Sequence, residues 1–208
     1  MITVVLDVGK TMGATLFQAK SKMDVMKSIV LNFFTQRYND SKTTQFAVFT
    51  YGDSITSHDF SHEAGYENIN MLISCRILDQ SDWQRIHQIT LCDNQVADTL
   101  SGVLLLAHDH LNTKNEKLKY NRSIVVITDG ETNVRSNDDD DFCYDNFTQG
   151  VDAKDQQVII VMLGKVTPSS SQIKKDNAEF FKSLAHRYTE ADTVGEALWI
   201  LSFGIGLS

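Results

Sequence analysis

The chain has 208 residues, of which 42% are hydrophobic and 22% are charged, a composition ordinary for one soluble globular domain with a sizeable core. The net charge of −8 disfavours extensive contacts with nucleic-acid phosphates, which clustered Lys and Arg side chains usually make. Three scattered cysteines predict a reducing intracellular compartment. No run approaches the roughly 20 apolar residues of a membrane span, so we expect no membrane association.

Apolar patterning predicts the elements of the first half of the chain. Residues 2–6 form an apolar, β-branched run that is typical of a buried strand. Apolar residues spaced by three and four over residues 17–38 predict a long amphipathic helix, and residues 46–51 predict a second strand. Residues 68–77 predict a further strand. We expect it to be antiparallel at the sheet edge, because no helix separates it from the strand before.

Helices and strands alternate through the second half of the chain. Helices are predicted over residues 82–89 with Ser81 as N-cap, 98–111, 142–153, 172–187 and 194–203. Strands are predicted over residues 123–127 and 158–163 and around Tyr188. The alternation predicts a single three-layer α/β/α domain over residues 1–208, with a doubly wound, mostly parallel sheet and one antiparallel edge strand.

Two strands of this predicted sheet end in acidic residues. Asp7 follows the first strand, and Asp129 follows the strand over residues 123–127. The carboxyl ends of parallel strands border the crevice in which open α/β sheets bind ligands. Together with Thr11, these carboxylates would supply the oxygen ligands that Mg²⁺ prefers. The alternative is that Asp7 and Asp129 only form hydrogen bonds within the loops around them.

The triplet Gly9-Lys10-Thr11 is similar to the end of a phosphate-binding loop. The full pattern requires a glycine where this chain has Val4, inside the first strand. Only two residues separate that strand from the triplet, which leaves no loop to surround phosphates. Nucleotide hydrolysis is therefore disfavoured, and we expect a domain that is not an enzyme.

The acidic strand ends resemble the metal-ion-dependent adhesion site of von Willebrand factor A domains. That site has a strand ending in Asp-x-Ser-x-Ser, a threonine in a middle loop and a later strand ending in Thr-Asp-Gly. This chain has Asp7-Val8-Gly9-Lys10-Thr11 and Thr128-Asp129-Gly130, with Asp98 or Thr99 at the middle position. Gly9 stands where the family has a serine ligand. The resemblance thus implies a degenerate site of Asp7, Thr11, Asp98 and Asp129 without a cofactor. The alternative is a working Mg²⁺ site that binds a partner carboxylate through the ion.

A narrower resemblance covers some 190 residues. In order and spacing, several short segments resemble the N-terminal A-like domain of the larger subunit of the Ku heterodimer. These segments are Leu6-Asp7-Val8-Gly9-Lys10-Thr11-Met12, Phe17-Gln18-Ala19-Lys20, Tyr66-Glu67-Asn68-Ile69, Ala97-Asp98, Arg122-Ser123-Ile124, Ile127-Thr128-Asp129 and Tyr188-Thr189-Glu190.

The Ku resemblance implies a role in recruiting proteins for non-homologous end joining and telomere maintenance. The implied partners are the other Ku subunit and short peptides of repair or telomeric silencing proteins that mix basic and hydrophobic residues. DNA would be reached only through the rest of a longer chain, of which residues 1–208 would be a fragment. The implied location is the nucleus, including telomeric chromatin. The implied peptide groove contains Tyr66, with Val103 and Leu106 in its wall.

Overall fold

The computed structural model describes residues 1–52, 69–92, 100–113, 122–131, 144–153 and 155–204. The strands are β1 (Ile2–Asp7), β2 (Thr15–Phe17), β3 (Lys20–Ser21), β4 (Gln45–Tyr51), β5 (Ile69–Ile77), β6 (Arg122–Thr128), β7 (Gln156–Leu163) and β8 (Arg187–Ala191). The helices are α1 (Lys22–Asp40), α2 (Gln80–His87), α3 (Leu100–Thr113), α4 (Tyr144–Ala153), α5 (Gln172–Leu184) and α6 (Val194–Gly204). A short 3-10 helix, Lys10–Gly13, follows β1.

Six strands form one sheet in the order β5-β4-β1-β6-β7-β8. All neighbouring pairs are parallel except β4 and β5, which pair antiparallel at one edge. The predicted architecture is therefore confirmed, including the antiparallel edge strand. The antiparallel pairing agrees with the sequence, in which no helix is predicted between the two strands.

Helices cover both faces of the sheet because successive strand residues point to opposite sides. In β1, Val4 and Leu6 pack with side chains of α1, α2 and α6, whereas Val5 packs with side chains of α3, α4 and α5. This gives two apolar layers around a buried sheet. Among the described residues, none of the helices has the length and apolar character needed to cross a bilayer.

The first helix begins later than predicted. Phe17 ends β2, and the chain turns through Gln18 and Ala19, both at positive φ, before β3. Helix α1 then begins after Ser21, which forms a capping box with Asp24. Apolar spacing does not distinguish a helical turn from a preceding hairpin, and the cap decides where the helix starts.

Several other predicted bounds differ from the structure at helix ends. Helix α2 is capped by Asp79 rather than by Ser81, and the Asp79 carboxylate accepts a hydrogen bond from the Ser81 N–H at 2.7 Å. Helix α5 ends at Leu184, three residues before its predicted end, since strand β8 begins at Arg187. The end of a helix depends on whether its terminal residues form helix, cap or strand hydrogen bonds. The spacing of apolar residues in the sequence does not show which of these forms.

We expect Ser21→Ala to lower the free energy of unfolding by about 1 kcal/mol. The change removes the hydroxyl that accepts a hydrogen bond from the Asp24 N–H at 3.1 Å. Urea denaturation of the purified protein measures the loss. Ser28→Ala is the matched control within the same helix, where the hydroxyl donates to the Asp24 carbonyl and alanine has the higher helix propensity. An equal loss for both variants would contradict the assignment of the cap.

Candidate functional site

The carboxylate of Asp7 lies at the carboxyl edge of the sheet and is fully buried. Because β1 and β6 are parallel neighbours with Leu6 beside Ile127, the residues that follow them emerge at the same edge. Both oxygens of Asp7 accept hydrogen bonds. Oδ1 accepts from the Gly9 N–H at 2.9 Å, and Oδ2 accepts from the Thr128 hydroxyl at 2.8 Å and from the Tyr51 hydroxyl at 3.3 Å.

Burial and, to a smaller extent, the neighbouring charge of Asp129 raise the pKa of Asp7 to about 6. Hydrogen bonds from Gly9, Thr128 and Tyr51 favour the charged form and oppose this rise. The direction shows that desolvation outweighs those hydrogen bonds. Asp7 is therefore a carboxylate whose negative charge is costly at this position.

The carboxylate of Asp129 is paired with a lysine of the chain itself. Its Oδ2 accepts a hydrogen bond from the Lys22 ammonium at 2.9 Å, and its Oδ1 accepts from the Glu131 N–H at 2.9 Å. Asp129 has no exposed side-chain surface, and Lys22 has 10%. Lys22 is the first residue of α1, so the cap at Ser21 aims its side chain at the end of β6.

A second lysine lies on the other side of the same edge. Lys174, in the first turn of α5, donates to the Leu163 carbonyl at 3.1 Å and lies 3.8 Å from Glu131 Oε1. Burial lowers the pKa of Lys174, and the charge of Lys22 lowers it further. The Ser171 hydroxyl donates to the other oxygen of Glu131 at 2.8 Å. Three carboxylates and two ammonium groups thus form one charge cluster, consisting of Asp7, Asp129, Glu131, Lys22 and Lys174, in which only Glu131 has a side chain that is substantially exposed, at 26%.

Three glycines at positive φ, Gly52, Gly130 and Gly164, allow close packing at this edge, and a Cβ at Gly164 would lie 2.9 Å from Lys174 Nζ. Gly130 has φ +68°, its carbonyl accepts from the Asn177 amide at 3.0 Å, and a Cβ there would lie 2.6 Å from the sulfur of Met162. Gly52 has φ +91°, and a Cβ there would lie 3.2 Å from the Gly9 nitrogen. A larger residue at any of these positions would be strained, because L side chains rarely adopt this backbone conformation.

Comparisons with known proteins identify the architecture but not a family. No family model and no curated protein matches the sequence. The chain is similar to the structure of BatB, a conserved hypothetical protein from Bacteroides thetaiotaomicron, with a TM-score of 0.67, 15% identity and coverage of 97% of this chain and 95% of that one. The fold is von Willebrand A-like.

Two other similar structures support this assignment of the fold. An aerotolerance-related membrane protein from Bacteroides fragilis has a TM-score of 0.67 and 16% identity, over 98% of this chain and 97% of that one. The pilus adhesin SpaC from Lactobacillus rhamnosus GG has a TM-score of 0.68 and 10% identity, over 98% of this chain and 30% of the adhesin. At such identities the likeness establishes the fold alone.

The assignment to Ku is wrong, because the similar structures are BatB, the aerotolerance-related protein and the adhesin. The predictions that followed from Ku are wrong as well. These are the roles in end joining and telomere maintenance, the second Ku subunit, the basic repair and telomeric peptides, the DNA contact through a longer chain and the nuclear location. Two of the segments that suggested Ku have plain structural roles in this chain. Phe17-Gln18-Ala19-Lys20 is the turn of a hairpin, and Arg122-Ser123-Ile124 begins a central strand.

The structure brings together only part of the predicted site. Asp7 and Asp129 share the charge cluster, whereas Thr11 lies in the exposed 3-10 turn after β1. Asp98 and Tyr66 lie outside the described residues. Val103 is fully buried in α3 and presents no surface to a peptide, and Leu106 is partly buried against the same apolar layer.

The von Willebrand A-like fold implies a divalent cation at these strand ends, and the residues present do not fit one. The Lys22 ammonium lies on Asp129 Oδ2, and both oxygens of Asp7 accept internal hydrogen bonds. Within the described part of the chain, no three His, Cys, Asp or Glu side chains form a cluster that could hold a metal ion. A cation added beside Lys22 would face its positive charge.

Sequence reasoning missed Lys22, Lys174 and Tyr51 as members of this site. Lys22 and Lys174 each lie in the first turn of a helix, where the helix dipole disfavours a positive charge. A lysine at such a position is a weak sign that a carboxylate elsewhere compensates it. The sequence contains no sign that the carboxylate for Lys22 is Asp129.

We expect Asp7→Asn to remove a pH dependence of stability. Because the folded state raises the pKa of Asp7 from 3.8 to about 6, it binds this proton more tightly than the unfolded chain does. The contribution of Asp7 to stability is therefore largest below pH 3.8 and is lost as the pH rises to about 6. This pKa change corresponds to a contribution to the free energy of unfolding of roughly 3 kcal/mol at most.

Urea denaturation from below pH 3.8 to above pH 6, for wild type and variant, measures this contribution. The difference in unfolding free energy, wild type minus Asp7→Asn, should fall as the pH rises and then stay constant. The exposed carboxylate of Asp109 provides the control, and Asp109→Asn should leave the wild-type slope unchanged. A difference that rises with pH would show that the pKa of Asp7 is lowered by folding.

Proposed function

We propose that this chain is a non-enzymatic, von Willebrand A-like protein-interaction domain that contacts its partner at the carboxyl edge of the sheet. The observation that supports this proposal is that the members of the charge cluster are hydrogen-bonded within the chain. The three carboxylates all accept hydrogen bonds from groups of the chain itself. Lys22 donates to Asp129, and Lys174 donates to the Leu163 carbonyl. A catalytic acid, base or nucleophile must reach a substrate, whereas these side chains are occupied.

The exposed surface of the turn after β1, at the same edge of the sheet, favours binding rather than chemistry. Lys10 and Thr11 are exposed on the short 3-10 turn, and Leu91, beside Gly13, has 38% of its surface exposed. The loops at this edge are fixed by the hydrogen bond between the Cys92 N–H and the Val8 carbonyl at 2.9 Å. An exposed turn on a rigid scaffold is the usual place for recognition residues.

The GKT triplet does not have the surroundings of a phosphate-binding loop. Lys10 begins the 3-10 helix directly after β1, and the hairpin of β2 and β3 separates it from the first α-helix. A phosphate site needs backbone N–H groups at the start of a long helix, which this turn of four residues does not supply.

A photo-crosslinking residue at Thr11 should capture the partner, because Thr11 is exposed on the turn that follows β1 at the carboxyl edge of the sheet. The protein carrying it is irradiated in an extract of its native cells, and the adduct is identified by mass spectrometry. The control carries the same residue at Lys42, which is exposed in the turn before β4 at the opposite edge. We expect an adduct from position 11 alone, in the presence or absence of EDTA. Equal labelling from both positions would contradict the proposal, and an adduct lost with EDTA would indicate a metal-mediated contact.

Purified protein should not hydrolyse ATP or GTP. Phosphate release in the presence of Mg²⁺ is the measurement, with Lys10→Ala as the matched variant, since Lys10 is the lysine a phosphate loop would use. Turnover that disappears in Lys10→Ala would show that this domain is an enzyme.

A further inference from the structure

The ion pair between Lys22 and Asp129 occupies the position at which the fold implies a metal. The two charged atoms are 2.9 Å apart, and neither side chain has more than 10% of its surface exposed. A buried carboxylate without a counter-ion is strongly unfavourable, so Asp129 requires a cation at this distance. In this chain the first residue of α1 supplies it.

The helix itself does not explain a lysine at this position. Positive side chains are disfavoured in the first turn of a helix, and α1 already has a capping box formed by Ser21 and Asp24. The neighbouring lysine, Lys20, is exposed and lies outside the helix. The position of Lys22 is therefore accounted for by the carboxylate it meets, 107 residues away in sequence.

The groups around the ammonium are those that a hard cation prefers. The ammonium contacts Asp129 Oδ2. The residue before Asp129, Thr128, donates its hydroxyl to Asp7 Oδ2 at 2.8 Å, so the two carboxylates are linked through neighbouring residues. Carboxylate and hydroxyl oxygens are ligands of Mg²⁺ and Mn²⁺. With Lys22 present, Asp129 Oδ2 already has a positive charge at 2.9 Å.

We propose that Lys22 is the resident cation of this site, so that the domain does not depend on a divalent metal, and that removing its ammonium creates a divalent-cation site at Asp7 and Asp129. This inference concerns the charge cluster and does not depend on the partner proposed above. A negative crosslinking result at position 11 would leave it unaffected.

Thermal unfolding with EDTA, MgCl₂ or MnCl₂ tests this role in the wild type, in Lys22→Ala and in the control Lys20→Ala. The wild type and Lys20→Ala should have the same Tm in all three conditions. Lys22→Ala should have a lower Tm in EDTA, because the buried carboxylate of Asp129 loses the ammonium that is hydrogen-bonded to it and keeps only the more distant Lys174. Mg²⁺ or Mn²⁺ should raise its Tm in a saturable manner, since a ligand that binds only the folded state stabilises it.

A double variant, Lys22→Ala with Asp129→Asn, separates the metal site from a general effect of salt. It should be more stable than Lys22→Ala in EDTA, since the unpaired charge is gone, and its Tm should not respond to Mg²⁺ or Mn²⁺. If Lys22→Ala is unfolded in EDTA, circular dichroism after adding MnCl₂ provides the readout, and recovery of structure supports the proposal.

Three outcomes would overturn the proposal. The first is a wild-type Tm that falls with EDTA and rises with Mg²⁺, which would show that a metal already binds beside Lys22. The second is a folded Lys22→Ala variant that does not respond to either metal. The third is a Lys22→Ala variant that stays unfolded with Mn²⁺ and Mg²⁺ while the double variant folds.

Discussion

The carboxyl edge of the sheet depends on the ion pair between Lys22 and Asp129. Two parallel neighbours, β1 and β6, deliver carboxylates to the same buried place, and like charges there repel one another. One ammonium, held at 2.9 Å, compensates the carboxylate that follows β6. The carboxylate of Asp7 is instead stabilised by hydrogen bonds, which do not fully offset its burial.

Placing that ammonium requires the hairpin of β2 and β3. The hairpin separates the end of β1 from the start of α1, and the capping box at Ser21 orients the first turn of the helix toward β6. The Leu16 side chain of this hairpin lies close to Gly164 at the end of β7, where an added Cβ would be 3.2 Å from it. The hairpin thus lies between the start of α1 and the end of β7 at the carboxyl edge of the sheet.

A von Willebrand A-like fold does not by itself assign a function to this chain. The similar structures include a protein named for aerotolerance and a pilus adhesin, at 16% and 10% identity. The same layers of strands and helices therefore support different roles, and the role lies in the loops and charges at the strand ends. In this chain those ends carry an internal lysine at the place where the fold implies a metal, so even the chemistry of the site is not inherited from the fold.

The sequence by itself determined the α/β fold class with its mostly parallel sheet, the antiparallel edge strand and the acidic ends of β1 and β6. Apolar runs and their spacing reflect which residues are buried, and this burial defines the strands and helices. It did not determine that residues 17–21 form a hairpin, since the same apolar spacing suits a helix. The resemblance to Ku led to a wrong family for a related reason. Short matches along a chain of alternating strands and helices indicate the fold and not the family. Only the tertiary structure decided that Lys22 meets Asp129, because a contact between residues 107 positions apart depends on how β1, β6 and α1 pack together.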